Sequence, residues 1–161
     1  MVNAVLGSMM PLRPDRLPQE PIVSQETGSK KILIVDDEAD MVTFMATLLA
    51  ANGYTPIIAR DPAEGLTKAR QLNPDCIILN AMMTADGGIT LYVNLRCDQQ
   101  LRTVPVIMLS AIGKKIFLFY PEAQASAGGR DLREPECYLE TPPDAKELLR
   151  QVQKLSAPAT V

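Results

Sequence analysis

"DCIILNAMMTADGG", residues 75–88, is an apolar run that stops abruptly on Asn80 and gives way to small and polar residues. A run this short with a polar break after it reads as a buried strand rather than a helix. Similar runs recur outward from it. "KILIV" (31–35) and "YTPIIA" (54–59) precede it, and "VPVIML" (104–109) and "CYLE" (137–140) follow. Helical patterns lie between them. Met41, Phe44, Met45, Leu48 and Leu49 fall at i, i+3, i+4, i+7 and i+8, predicting an amphipathic helix that Gly53 is placed to end. "DPAE" at 61–64 offers Asp61 as N-cap, Pro62 at the first helical position and Glu64 at the third. "GITLYVNLR" predicts a third helix, and "PDAKELLRQVQKL" a closing one through Leu148, Val152 and Leu155. Residues 112–136 carry no clean period and are expected to be irregular.

Five strands alternating with helices predict β-α-β units and an α/β, doubly wound five-stranded parallel sheet with helices on both faces. Ligands of such sheets sit at the carboxyl ends of the strands. At those ends stand Asp36 and Asp37 after the first strand, Asn80 after the third, Ser110 after the fourth, and Thr141 with Pro142 after the fifth. Short polar residues thus converge on one edge of an otherwise apolar sheet.

The bulk composition limits the alternatives. At 161 residues the chain has room for one domain with a full-sized core. Apolar residues make up 47% and charged residues 22%, an ordinary globular balance. A net charge of −3 gives no electrostatic reason to expect nucleic acid or an anionic membrane as partner. With no histidine, a Ser-His-Asp triad, a Cys-His pair and a His-ligated zinc site are excluded. Cys76, Cys97 and Cys137 are odd in number and lack C-x-x-C spacing, which fits free thiols in a reducing cytoplasm. No apolar stretch approaches the roughly 20 residues of a membrane span. Residues 1–29, with Pro11, Pro14, Pro18 and Pro21, read as a flexible leader, 30–155 as the domain, and 156–161 as a tail.

Adjacent carboxylates such as Asp36 and Asp37 suit a hard cation like Mg²⁺, which takes oxygen ligands. Capping the next helix is the simpler role for one of them, and both roles can hold at once, with Asp36 toward the cleft and Asp37 near the helix start. Asp86 belongs more naturally to the turn "TADGG", and Lys114 and Lys115 to a solvated loop. Gly87 and Gly88 form neither G-x-G-x-x-G nor a Walker pattern.

"KILIVDDEADM", "NPDCIILNAMMTADGG", "VPVIMLSA" and "CYLETPPDAKELLRQV" resemble, in order, the signature blocks of response-regulator receiver domains of two-component signalling. The resemblance covers about residues 30–155 and implies the flavodoxin-like receiver fold. It also implies that an acidic pair binds Mg²⁺ and that an aspartate ending the third strand accepts a phosphoryl group from a histidine kinase. A Ser or Thr after the fourth strand would contact the phosphate, and a Lys before a proline after the fifth would pair with it. Asp36 and Asp37 match the pair, Ser110 the hydroxyl, Pro142 the proline, and Tyr138 the family's aromatic switch. Two positions depart from the pattern: Asn80 stands at the phosphoacceptor and Thr141 at the lysine. Thr84, where the family commonly has proline, is a milder departure. An amide nitrogen is delocalised into its carbonyl and is no nucleophile at neutral pH. Without the lysine, a cation that would answer phosphate charge is gone too. One negative and one positive group vanish together, which suits a natural degenerate receiver better than a single laboratory change. The resemblance also implies a cis peptide between Thr141 and Pro142.

The reading that follows is a non-enzymatic, cytoplasmic, single-domain signalling module that acts by protein contact with a histidine kinase or a signalling scaffold. It binds no nucleic acid and no membrane, and holds Mg²⁺ at most weakly through Asp36 and Asp37, with Asn80 lending an oxygen. Phe119 and Tyr120, in the aromatic stretch after the fourth strand, are the expected partner anchors. An active phosphorelay receiver using another carboxylate is the alternative, and a small enzyme using the acidic cleft ranks last.

Overall fold

In the computed structural model, which describes residues 28–84, 87–118 and 132–158, the apolar runs are strands and the periodic stretches between them helices. The strands are Lys31–Val35 (β1), Thr55–Ala59 (β2), Cys76–Asn80 (β3), Val106–Leu109 (β4) and Cys137–Leu139 (β5). The helices are Ala39–Ala51 (α1), Pro62–Leu72 (α2), Gly87–Cys97 (α3) and Ala145–Ser156 (α4). All strands are parallel in the order β2-β1-β3-β4-β5, so the chain reverses direction across the sheet beside β1 and β3.

Strand alternation sorts the core into two layers. Leu33, Val35, Ile77, Leu79, Val106 and Met108 pack with α2 and α3 through Ala69, Ile89, Leu91, Tyr92 and Leu95. Ile32, Ile34, Cys76, Ile78, Ile107 and Leu109 point the other way, onto Val42, Met45 and Leu49 of α1 and Leu148 and Val152 of α4. β1, β3 and β4 are covered on both faces, which is why they read as continuous apolar runs rather than alternating ones.

The start signals of α2 operate as expected. Asp61 accepts a hydrogen bond from Glu64 N at 2.8 Å, and the Glu64 carboxylate accepts one from Arg60 N, one residue before the cap. That bond, with Lys68 beside it, holds the Glu64 carboxyl below its ordinary range. The end of α1 passes into Gly53 at φ 83°, a left-handed turn suited to glycine.

Three expectations need adjustment. The stripe of α1 that enters the core is Val42, Met45 and Leu49, with Met41 and Leu48 half-buried beside it and Phe44 40% exposed. The helix is rotated so that Val42 faces the sheet, and Phe44 turns toward the loop after β5. In α4, Leu155 packs half-buried against the core as part of the expected face, and Ser156 joins Leu148 and Val152 in the fully buried stripe, its hydroxyl donating to Val152 O. Within the stretch expected to be irregular, Gly113–Leu118 forms a 3-10 helix that seats Ile116 in the core. Asp86, Phe119, Tyr120 and the Phe117 side chain lie outside the described residues.

Burial pushes the Cys76 thiol up to about 12 from 9.0, with the charge of Glu136 adding to the effect. In the unfolded chain the thiol ionises near its ordinary value, so the folded state alone keeps the proton as pH rises. Stability from this group is therefore complete below pH 9.0 and is lost as pH climbs toward about 12. Tyr92, also pushed up to about 12 by burial, adds a fall of the same sign above pH 10.0. Urea unfolding midpoints should drop through this window, and Cys76→Ala should flatten its lower part. An unchanged slope in the variant would assign the fall elsewhere.

Candidate functional site

The residue directly after β1, Asp36, is a carboxylate that water does not reach. Asp36 is 0% exposed, and a buried charge is costly unless hydrogen bonds answer it. Its Oδ1 accepts from Glu38 N and from Asn80 Nδ2, both at 3.0 Å. Its Oδ2 is buried and takes no hydrogen bond among the described residues. Asn80, at the end of β3, is also buried, and its Oδ1 accepts from Met82 N at 2.8 Å. Only Nδ2 can donate to a carboxylate and only Oδ1 can accept from a backbone N–H, so these two partners fix which way the amide faces. Asn80 thus bridges Asp36 to the segment after β3. An aspartate there would have no proton for Asp36 and would set two carboxylates against each other.

The helix that follows is held close. A Cβ on Gly88 would lie 2.2 Å from Asn80 O and 2.7 Å from Ala81 O, so only glycine lets α3 start against the end of β3.

Asp37 is exposed, and its Oδ2 accepts from both Thr84 N and Thr84 Oγ1 at 3.3 Å. The N-cap position of α1 falls to Glu38, whose side chain makes no capping bond. Ser110 is fully buried one residue beyond Leu109, the β4 partner of Asn80, and its Oγ accepts from Ile112 N at 3.2 Å. Thr141 is half-buried and Pro142 exposed, and the peptide between them is cis, as expected. Ser110 and Thr141 therefore stand on the same edge as Asp36 and Asn80, with no hydrogen bond to either among the described residues. Tyr138 lies half-buried on β5 against the α2/α3 side of the core. Burial, with Glu134 and Tyr92 nearby, raises its hydroxyl above the usual tyrosine range. Beside this edge, Glu38, Ala39, Asp40, Met41, Phe44, Pro142 and Pro143 line an open groove of about 390 Å³.

A second polar cluster has no counterpart in the sequence reading. Arg96, near the end of α3, donates from Nε to Tyr92 Oη at 3.0 Å and from Nη1 to Arg102 O and Val104 O at 3.1 and 2.8 Å. Its Nη2 donates to Glu136 Oε2 at 2.8 Å, and that oxygen also accepts from Val106 N at 2.6 Å. The guanidinium carbon lies 5.0 Å from the centre of the Tyr92 ring. Glu136 Oε1 lies 2.8 Å from Arg133 Nη2 as an ion contact and takes no hydrogen bond among the described residues, and Tyr92 Oη donates to Arg133 O. The network ties α3 to the start of β4 and to the residues entering β5. Its one visible trace in the sequence is an arginine four residues after a tyrosine on the buried face of a helix.

A family model, the response regulator receiver domain, matches residues 32–132. The chain belongs to the response regulator receiver domain family. This receiver domain is 42% identical over 83 residues to the alkaline phosphatase synthesis transcriptional regulatory protein PhoP of Bacillus subtilis (strain 168), covering 52% of this chain and 34% of that one. It is 33% identical over 125 residues to the DNA-binding dual master transcriptional regulator RpaA of Synechocystis, covering 78% and 48%. The chain thus spans less than half the length of these curated relatives. Among solved structures, the receiver domain of a Francisella response regulator matches with 30% identity and TM-score 0.62, covering 80% of this chain and 97% of that one. The receiver domain of a sensor histidine kinase from Pseudomonas aeruginosa PAO1 matches in fold, with 22% identity and TM-score 0.65 over 80% and 98%. That protein was solved with a magnesium ion coordinated in its active site cleft.

Whether this receiver domain suits such an ion turns on its own donors. The orphaned, buried Asp36 Oδ2 beside Asp37 fits a hard cation that takes oxygen ligands. The Asn80 oxygen is already engaged by Met82 N, and among the described residues no three or more His, Cys, Asp or Glu stand close enough together to hold a metal ion. Among those residues, too, no helix is long and apolar enough to cross a membrane.

Proposed function

We propose that this receiver domain signals through protein contacts that do not depend on phosphorylation of its central strand end. The observation that carries the reading is the Asn80 amide, which donates to Asp36 where a phosphoacceptor would need a free carboxylate. Covalent catalysis at this position requires an oxyanion, and an amide supplies none. Thr141, neutral at the other side of the edge, agrees with this, since no phosphate charge needs a counter-ion there.

The partner is a cytoplasmic protein such as a histidine kinase or a signalling scaffold. Phe119 and Tyr120 are its proposed anchors on the sequence argument. DNA binding is named for the Synechocystis relative, whereas this chain's net charge of −3 offers no footprint for nucleic acid. A divalent cation, when bound, supplies counter-charge to Asp36 and Asp37 and is held weakly, because the third carboxylate of a strong site is an amide here. The module is not an enzyme on this reading.

Incubation with acetyl phosphate and Mg²⁺ followed by intact-mass measurement should show no base-labile phosphoryl adduct. An adduct mapped to Asp36 or Asp86 would instead establish an active receiver that uses another carboxylate.

A further inference from the structure

The two carboxylates that follow β1 are committed differently. Asp36 has one oxygen with two donors and another, buried, with none among the described residues. Asp37 has a single oxygen, Oδ2, on which both the backbone N–H and the hydroxyl of Thr84 converge at 3.3 Å. Thr84 is 47 residues away in sequence, so this contact clasps the β1–α1 turn to the segment after β3. Both bonds are long, and long hydrogen bonds are weak. A divalent cation seated on Asp36 Oδ2 would draw on the neighbouring Asp37 carboxylate, because such ions collect several oxygen ligands. The lone pairs of Asp37 Oδ2 already face two donors.

We propose that Thr84 is an internal competitor for the cation at this acidic pair, so that cation binding opens the Asp37–Thr84 clasp and moves the segment after β3. The inference rests on the reading that Asp36 and Asp37 take the cation. It adds that the weakness of the site has a second source besides Asn80. It also makes the position of Thr84 depend on divalent-ion occupancy, with no phosphoryl group involved.

The test is a titration of the full chain with Mg²⁺ by calorimetry and with Mn²⁺ by paramagnetic relaxation, in wild type, Thr84→Val, Thr84→Pro and Asp36→Ala. Valine removes the hydroxyl and keeps the N–H, and proline removes both donors. Affinity should rise stepwise from wild type through valine to proline, by roughly three- to ten-fold in total for the loss of two weak hydrogen bonds. Asp36→Ala should bind neither ion, and the Thr84 amide resonance of wild type should shift on Mg²⁺ saturation. If both Thr84 variants bind as wild type does while Asp36→Ala does not bind, the cation uses the free Asp37 oxygen and the competition is refuted with the metal site intact. If wild type and every variant fail to bind, the metal reading falls and the competition with it. Unfolding midpoints of the Thr84 variants check that the fold survives, and the valine variant decides the matter should proline disturb it.

Discussion

Replacing Glu136 with Ala should lower the unfolding free energy by about 3–5 kcal/mol, the usual cost of leaving one member of a buried ion pair unanswered. The side chains of Arg96 and Glu136 are only 3% and 13% exposed, which sets this pair apart from surface bridges such as Arg150–Glu147. Removing Glu136 strands a guanidinium inside the protein and also deprives Val106 N of its acceptor at the first residue of β4. Arg96→Met should cost a similar amount, because it takes the Arg96 donors from the carbonyls of Arg102 and Val104 and leaves the buried carboxylate with only Val106 N and the exposed Arg133. The double variant Arg96→Met/Glu136→Leu should recover a large part of the loss, since two apolar groups of similar size leave no buried charge behind. Chemical unfolding of the three variants measures this cycle. Single losses below 1 kcal/mol would mean that water reaches the pair and that the entry to β5 is anchored by Leu132 and Tyr138 packing instead.

Asn80→Asp should destabilise the protein at neutral pH without divalent ions and reverse that loss when Mg²⁺ is added. The substitution removes the 3.0 Å donor to Asp36 and puts a second negative charge in its place. At about 4 Å and a surface-like dielectric, two such charges repel by about 4 kcal/mol, enough to outweigh the lost hydrogen bond as the main effect. The same change supplies the third carboxylate that a hard cation favours, so Mg²⁺ affinity should rise by at least about ten-fold over wild type. Thermal unfolding with and without Mg²⁺, together with calorimetric titration, reads both effects. If Asn80→Asp proves as stable as wild type in chelator, the amide does not serve to neutralise Asp36. The degenerate strand end would then be a passive substitution.

The two effects differ in how far they could be read ahead of the fold. That Asp36, Asn80, Ser110 and Thr141 share one edge follows from sequence. Parallel strands joined by helices must place all their carboxyl ends together; Asp36, Asn80 and Ser110 follow directly on an apolar run, and Thr141 follows one after Glu140. The cap at Asp61 is legible because it is local, with donor and acceptor three residues apart. That the amide of Asn80 is no nucleophile at neutral pH is a property of the group itself and needs no coordinates.

What sequence alone did not determine are contacts between segments far apart in the chain. The apolar spacing of α1 was compatible with a stripe through Phe44, and only the placement of β1, β3 and α4 turned Val42 inward and Phe44 out. Asp37 beside a helix start looked like a cap, yet Thr84 reaches it from 47 residues away and takes its carboxylate. Arg96 and Glu136 are 40 residues apart and meet because α3 and the entry to β5 flank the same face of β4. Local hydrogen-bonding and burial preferences act over a few residues and are written in the chain. Which charge answers which across the sheet depends on distances that exist only once the strands have packed.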